Sequence, residues 1–400
     1  MQNTQKINWP GVLVLLLYPA LLTIAGYAYI KKFGISSFEI ILMISAYYIY
    51  NISVGVGLHR LWAHNSYKTN KVVETILAFI SAGTLQGPIL AWASDHDKHH
   101  SYTDTERDPH TPLKFKNKFL GFYWSHIGWM LVGEMSYKNI EKTALKRLGK
   151  NKIVMWQFKH YWKIAILMNT IIPFAIGYIF GGNFQYAIAG FIFIGIARAI
   201  QQQATFCVNS MCHFLGSKQY CNETAGDIPW LFFLLLGENW HNFHHAFACD
   251  YRNGHKWYHL DVHKWIIAGM SKLGLASNLV VTPFIRIEAK KNVLEVQIIS
   301  RIKAKLDSAE KTACKIANIA RQKLDKTEKS AQIMAKNIKI KLENLEKKAL
   351  LLSVTVKKIS TFYDIKSQKK VIGKILHKLS NLEELAIKMG INAKALIASS

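Results

Sequence analysis

The chain has 400 residues, half of them hydrophobic, with 51 Lys+Arg against 25 Asp+Glu and a formal net charge of +26. That combination excludes a chain disordered throughout, a collagen-like repeat and a disulfide scaffold. The conflict between apolarity and charge resolves by position. All eleven tryptophans and the last proline, Pro283, precede residue 284. Residues 284–400 carry a net +15 and residues 1–283 a net +11. The sequence therefore divides into an apolar membrane body, 1–283, and a Lys-rich tail, 284–400. Cys207, Cys212, Cys221, Cys249 and Cys314 form no CxxC pair, so free thiols in a reducing compartment are expected.

Trp9–Ile30 is free of charge, and about 22 residues at ~1.5 Å each cross a bilayer core of roughly 30 Å. Its length and the lack of a basic leader speak against a cleaved signal peptide. Further spans are expected at Phe38–Leu58, interrupted only by Glu39, at Ile164–Phe180, and at Phe184–Met211, whose single charge is Arg198. Gly181-Gly182-Asn183 makes the last two a tight hairpin. Val72–Ala93 is apolar too, but it contains Glu74, Gly83, Gln86, Gly87 and Pro88, which suits a re-entrant or interfacial segment. Trp230–Leu236 is too short to cross. Sixteen Lys+Arg lie between Leu58 and Ile164, against two at 31–37 and none at 181–183. The positive-inside rule places the long loop and both termini in the cytoplasm.

Nine of the sixteen histidines fall in patterned clusters at the ends of apolar segments. HRLWAH supplies His59 and His64, HDKHH supplies His96, His99 and His100, and HNFHH supplies His241, His244 and His245. His213 lies four residues after Asn209, on the same helix face. In HxxHH the first and last rings lie about 40° apart on an ideal helix of 3.6 residues per turn, with the middle one on the same side. His59 and His64 lie about 140° apart on that ideal helix, so they need a bent segment or a large site between them. Nine imidazoles exceed the needs of one ion, since zinc takes about four ligands, and they suit two ions of about five ligands each. Imidazole alone does not name the metal. A structural zinc site is normally closed and rich in cysteine, and no cysteine takes part. A shared site also requires that Val72–Ala93 not cross the bilayer. His110, His126, His160, His255, His259, His263 and His377 read as surface or satisfied residues.

GLHRLWAHNSYK, WASDHDKHHSYTDTERDPH, FYWSHIGWML, VNSMCH and GENWHNFHHAF resemble the membrane fatty acyl-CoA desaturases, of the delta-9 (stearoyl-CoA) type, over roughly residues 10–280. The resemblance implies an all-α integral membrane fold of four transmembrane helices under a cytoplasmic histidine-rich diiron cap. It implies iron ligands at His59, His64, His96, His99, His100, His213, His241, His244 and His245, with Asn209 meeting one metal through water. Trp92 and Asp95 match positions near the acyl-CoA entrance. Ser94 and Asp97 depart from the family pattern, where basic residues are usual. The implied chemistry is removal of two neighbouring hydrogens from a saturated acyl chain, using O₂, two electrons and two non-haem Fe ions, to leave a cis double bond. Zinc can replace iron on overexpression, by the usual order of divalent affinity.

The chain has no cytochrome b5 HPGG motif, no GxGxxG and no paired CxxC, so the electron donor is expected to be a separate ferredoxin or cytochrome b5 type protein, steered by the basic face. Met43 and Tyr47 are candidates for closing the far end of an acyl tunnel. A bacterial inner membrane is expected rather than the endoplasmic reticulum. In the tail, 302–320 and 335–363 space apolar residues at 3.5 on average, the pattern of a coiled coil or helical hairpin that self-associates, lies on lipid or docks a donor. No nucleic-acid partner is expected. The rival readings are a related diiron lipid hydroxylase, an acyl-lipid desaturase, and an inactive membrane scaffold with a basic interaction tail.

Overall fold

A computed structural model describes residues 6–133 and 138–294, with isolated positions as far as 304. The chain through Lys291 forms one compact unit. The periodic stretches at 302–320 and 335–363 lie outside the described residues.

Among the described residues four helices are long and apolar enough to cross a membrane: α1 (Trp9–Phe33), α2 (Ser37–Ala63), α6 (Lys152–Gly181) and α7 (Phe184–Phe214). Between α2 and α6 lie α3 (Lys71–Gly83), α4 (Ile89–Tyr102) and α5 (Lys142–Leu148); after α7 come α8 (His241–Ala246) and α9 (Val262–Lys272). The body is an all-helical integral membrane fold. A single two-stranded ribbon, Lys68–Thr69 paired antiparallel with Ala276–Ser277, is the exception. Each long helix outruns the apolar stretch that marks it. The longest extension is at the start of α6, which bends at His160 (φ −109°, ψ 15°).

Local chemistry explains the boundaries. Asn8 caps α1 through Gly11 N–H, with Pro10 in the first turn. Glu39, the charge inside the second apolar run, is the third residue of α2 and completes a capping box with Ser36. It also accepts a hydrogen bond from Tyr29 Oη at 3.0 Å, so the carboxylate is satisfied at the helix start. Gly182 takes the left-handed conformation (φ 81°) that ends α6, and Asn183 caps α7. A side chain at Gly177 or Gly190 would strike the facing backbone, so these glycines let α6 and α7 lie against each other.

The Val72–Ala93 run is two helices rather than one span. Leu85 (φ 54°) and Gly87 (φ 101°) turn the chain between α3 and α4, just before Pro88. Thirteen residues of α3 cover about 20 Å at ~1.5 Å each, short of a bilayer core. The end of α3 is tied to α6 where Asn169 Nδ2 donates to Gly83 O.

The end of α2 differs from an ideal α-helix. Over Ser53–Ala63 the backbone bonds run five residues back, a π-helix, and all eleven residues there are buried. His64 N–H bonds to His59 O at 3.0 Å. The largest apolar cluster surrounds this segment and joins α3, α4, α5 and α9 to it. Outward-facing residues of the spans remain bare, among them Leu21, Ile24 and Phe180 at 64%, 66% and 74% exposure, as a lipid-facing surface requires.

Candidate metal centre

The π-helix answers the first geometric problem. Residues five apart lie nearly above one another when bonds run five back, so the His59 and His64 rings lie 4.8 Å apart, centroid to centroid. Gly55 is part of this packing, since a side chain there would collide with the His263 ring.

The nine expected histidines come together as two groups. His59, His64, His96 and His244 bring one ring nitrogen each within 4.8 Å of the others; so do His99, His213, His241 and His245. His100 joins the first group, with Nε2 3.0 Å from His244 Nε2. The two HxxHH segments do not each converge on one point as the spacing suggested. Both divide between the groups. First and last residues, about 40° apart, stay together: His96 with His100, and His241 with His245. The middle residue, about 60° to the other side of the first, turns to the other group, as His99 and His244 do.

The donor chemistry fits cations. His99 Nδ1 donates to Asp108 Oδ1 at 3.0 Å, and His245 Nδ1 to Glu223 Oε2 at 2.8 Å. His213 Nδ1 donates to Thr224 Oγ1 at 2.7 Å, while that hydroxyl donates to Asp104. A neutral imidazole has one donor nitrogen, so these bonds leave Nε2 as a lone pair on all three rings. Yet the Nε2 atoms face one another: His99 to His245 at 3.3 Å, His213 to His241 at 3.0 Å and His245 to His241 at 3.1 Å. For His99 and His245 both are lone pairs, and at this range they repel unless a cation lies between them. Nitrogens about 2.1 Å from one ion sit roughly 3.0–3.4 Å apart, which matches. The first group repeats the spacing between ring nitrogens, with His59 to His244 at 3.0 Å and His64 to His96 at 2.8 Å.

Burial and mutual proximity favour the neutral form of most of these rings. Burial, then the neighbouring imidazoles, holds His64, His96, His99, His100, His244 and His245 well below the ordinary histidine value. His241 falls to about 3 for the same reasons. Burial pushes the Asp108 carboxyl up to about 7, against N–H bonds from His110 and Asp104 that pull it down. A divalent cation on the far side of His99 would keep it ionised.

Glu238 supports the first group. Its Oε2 lies 2.7 Å from His59 Nδ1, off the line of a hydrogen bond, and accepts from Asn253 Nδ2 at 2.7 Å. Its Oε1 accepts from His263 Nδ1 at 2.9 Å and from Arg60 Nη2 at 3.2 Å. Burial alone would raise this carboxyl; His59 and Arg60 outweigh it and hold it well below the usual range.

A cavity of about 380 Å³ opens beside the first group. His96 and Asn209 are in its wall, as are Trp92 and Asp95. Trp92 stacks on His96, centroids 4.9 Å apart. Most of the remaining wall is apolar or aromatic, including Leu15, Phe158, Trp162 and Phe206. Met43 and Tyr47 are not in it. Met43 packs between α2 and α7, and Tyr47 Oη donates to Leu234 O at 2.8 Å.

Four acids and two histidines around the ligands were not anticipated from the sequence. His110 lines the cavity and packs on His99, centroids 4.1 Å apart, and His263 is fully buried against Glu238. Glu238 carried a signal, three residues before His241 in GENWHNFHH. Asp108 did too, in DPH. Nothing local marks Glu223, whose partner is His245, or Asp104, whose role arises from a contact with Thr224 across more than a hundred residues.

Comparison with known proteins agrees with this geometry. A family model described as fatty acid desaturase matches residues 37–277. The chain is 35% identical over 264 residues to a probable acyl-CoA desaturase of Schizosaccharomyces pombe, covering 65% of this chain and 53% of that one. It thus spans about half the length of that relative. It is 31% identical over 283 residues to stearoyl-CoA desaturase 4 of Mus musculus (66% and 72%). It is also 31% identical over 240 residues to delta-9 acyl-lipid desaturase 2 of Arabidopsis thaliana (59% and 72%). With the histidine clusters in place and the match covering more than half of its residues, the chain belongs to the fatty acid desaturase family.

Proposed function

We propose that this protein is an acyl desaturase that introduces a cis double bond, at the delta-9 position, into a saturated acyl-CoA. The observation that carries the reading is two groups of inward-facing imidazoles beside an apolar cavity whose wall includes His96 and Asn209. Two iron ions held by the nine histidines, with Asn209 through water, would supply the O₂ activation that an inert methylene needs. The balance is one –CH₂–CH₂– unit, O₂, two electrons and two protons, giving –CH=CH– and two waters.

The chain's own residues position and exclude. Apolar and aromatic walls hold the acyl chain and keep water out. Trp92, flat against His96, fixes that ring and narrows the space beside it. Asp108, Glu223 and Thr224 set the tautomers and orientation of the rings they touch, and Glu238 holds His263 and lies beside His59.

The charge asymmetry of the loops supports a site on the cytoplasmic face, and the Lys/Ile-rich usage favours a bacterial inner membrane. The basic face suits an acidic ferredoxin or cytochrome b5 type donor. The tail is then an accessory module for self-association, lipid or donor. Ending the chain after Lys291 should leave iron content and single-turnover desaturation within about twofold. Loss of iron from a folded truncation would place the tail in the catalytic fold.

Expression of the full chain in a desaturase-deficient host, followed by fatty-acid profiling, tests the activity. A cis-Δ9 monounsaturated product on acyl-CoA is expected. Hydroxylated products, or unsaturation formed only on intact lipid, would replace the proposal by one of its rivals.

A further inference from the structure

The histidine segments sit on separate helices, and the first ion's pocket depends on their relative placement. His64, at the end of α2, and His96, on α4, approach to 2.8 Å through Nε2. Both segments are also joined outside the centre, by a residue whose hydrogen bonds go to neither His64 nor His96. Arg147 on α5 grips Asp97 with two nitrogens, Nη1 to Oδ2 and Nη2 to Oδ1, each at 2.9 Å. Its Nε donates to Trp62 O at 3.2 Å. Asp97 follows His96 directly in HDKHH; Trp62 precedes His64 by two residues in HRLWAH.

The rest of α5 reinforces this. Glu141 N–H, at its start, donates to Ser94 Oγ at 2.8 Å, and Thr143 Oγ1 donates to Asp97 Oδ2 at 3.3 Å. Ala144 and Leu148, four apart on one face, are buried in the same apolar cluster as Trp62 and Ala93. So α5 is seated by packing and aimed by hydrogen bonds. Ser94 and Asp97 are the α4 side chains that accept hydrogen bonds from it. A two-pronged Arg–carboxylate pair fixes direction as well as distance, and this one bonds a backbone carbonyl of the other segment with its third edge.

We propose that Arg147 and Asp97 form a positioning clamp that sets the His64–His96 pair and thereby the affinity of the first metal site. The proposal rests on the two-ion reading. The second group of histidines, His99, His213, His241 and His245, has its own outer partners in Asp108, Thr224 and Glu223. The clamp should therefore act on one ion and not on the other.

The test is titration of metal-free full-length protein with ⁵⁷Fe(II), read by bound iron and by Mössbauer spectra. His64→Ala and His99→Ala serve as references for loss of each site. Arg147→Met and Asp97→Asn should each bind one iron as the wild type does and the other roughly 10-fold more weakly. The spectrum of the retained iron should match that in His64→Ala. Arg147→Lys, which keeps the charge but not the fork, should fall between. Asp97→Asn keeps the Arg147–Trp62 contact and the side chain's size, so it reads the clamp even where Arg147→Met fails to fold. Two irons bound at wild-type affinity in Asp97→Asn, or weakening at the site that His99→Ala removes, would overturn the clamp. A wild-type protein binding fewer than two irons would overturn the two-ion reading, and the clamp with it.

Discussion

The lipid-facing halves of the spans and the histidine cap are built by opposite rules. Leu21, Ile24, Phe180 and their neighbours are exposed apolar side chains. What they must do is be apolar and helical, and many residues would serve. In the cap nearly every side chain has a particular partner. His59, His99, His213 and His245 meet Glu238, Asp108, Thr224 and Glu223, and those groups meet further partners. A buried polar network is costly when incomplete, so a single deletion there leaves several groups stranded. The spans tolerate change because their environment is uniform; the cap does not because each position is fixed by two or three others.

The largest effect should follow removal of a ligand. His241 Nε2 faces both His213 and His245, so His241→Ala opens the second group. Iron content should fall by at least one ion per chain and desaturation should fall below detection. Unchanged turnover would mean that the second group is not part of the reaction.

Next comes the supporting acid. Glu238→Ala leaves Arg60, with 1% of its side chain exposed, without one of its two carboxylates, and strands His263 and Asn253. Breaking such a buried pair costs about 3–5 kcal/mol. Metal affinity at the first group should drop roughly 10- to 100-fold. Calorimetry and iron titration measure the two separately. A stable variant with unaltered iron binding would remove Glu238 from the support of His59.

A smaller effect is set by pH. The buried His241 titrates near 3 when folded, against about 6.5 in an unfolded chain. Between those values the unfolded chain binds more protons, so this group's contribution is full above pH 6.5 and is lost as pH falls toward 3. His64, His96, His99, His100, His244 and His245 are shifted in the same direction. Metal-free protein should lose melting temperature as pH falls below about 6.5, and iron should be released over the same range. A flat profile from pH 7 to 5 would contradict the neutral, buried state of the cluster.

The smallest effect belongs to the spans. Leu21→Ile and Ile24→Leu, on the outer face of α1, should change stability by no more than about 0.5 kcal/mol. A large loss in either would show that this face packs against a partner rather than lipid.

The same contrast decides what could be read from the residues alone. The four spans follow from apolar length, and the break in Val72–Ala93 from its Gly and Pro. Eight of the nine histidines follow from spacing within the boxes, and His213 from its place four residues after Asn209. What spacing could not give was the division of each HxxHH between two groups, or the π-helix that turns His59 and His64 to one side. Those depend on how α2, α4 and α8 meet. Asp104 was invisible for the same reason, since its partner Thr224 lies far away in sequence, and Glu223 because only the packing of its loop against α8 brings it to His245. Met43 and Tyr47, chosen for bulk on α2, lie outside the cavity wall, which comes largely from α1, the α3–α4 turn, α4, α6 and α7.

The central claim is that nine histidines hold two metal ions. Purified full-length protein, loaded anaerobically with Fe(II), should bind two irons per chain, with X-ray absorption showing nitrogen and oxygen neighbours at about 2.1 Å and no sulfur. Single-ion variants made by His64→Ala and His99→Ala should each retain one. One iron per wild-type chain, or sulfur in the first shell, would contradict the account.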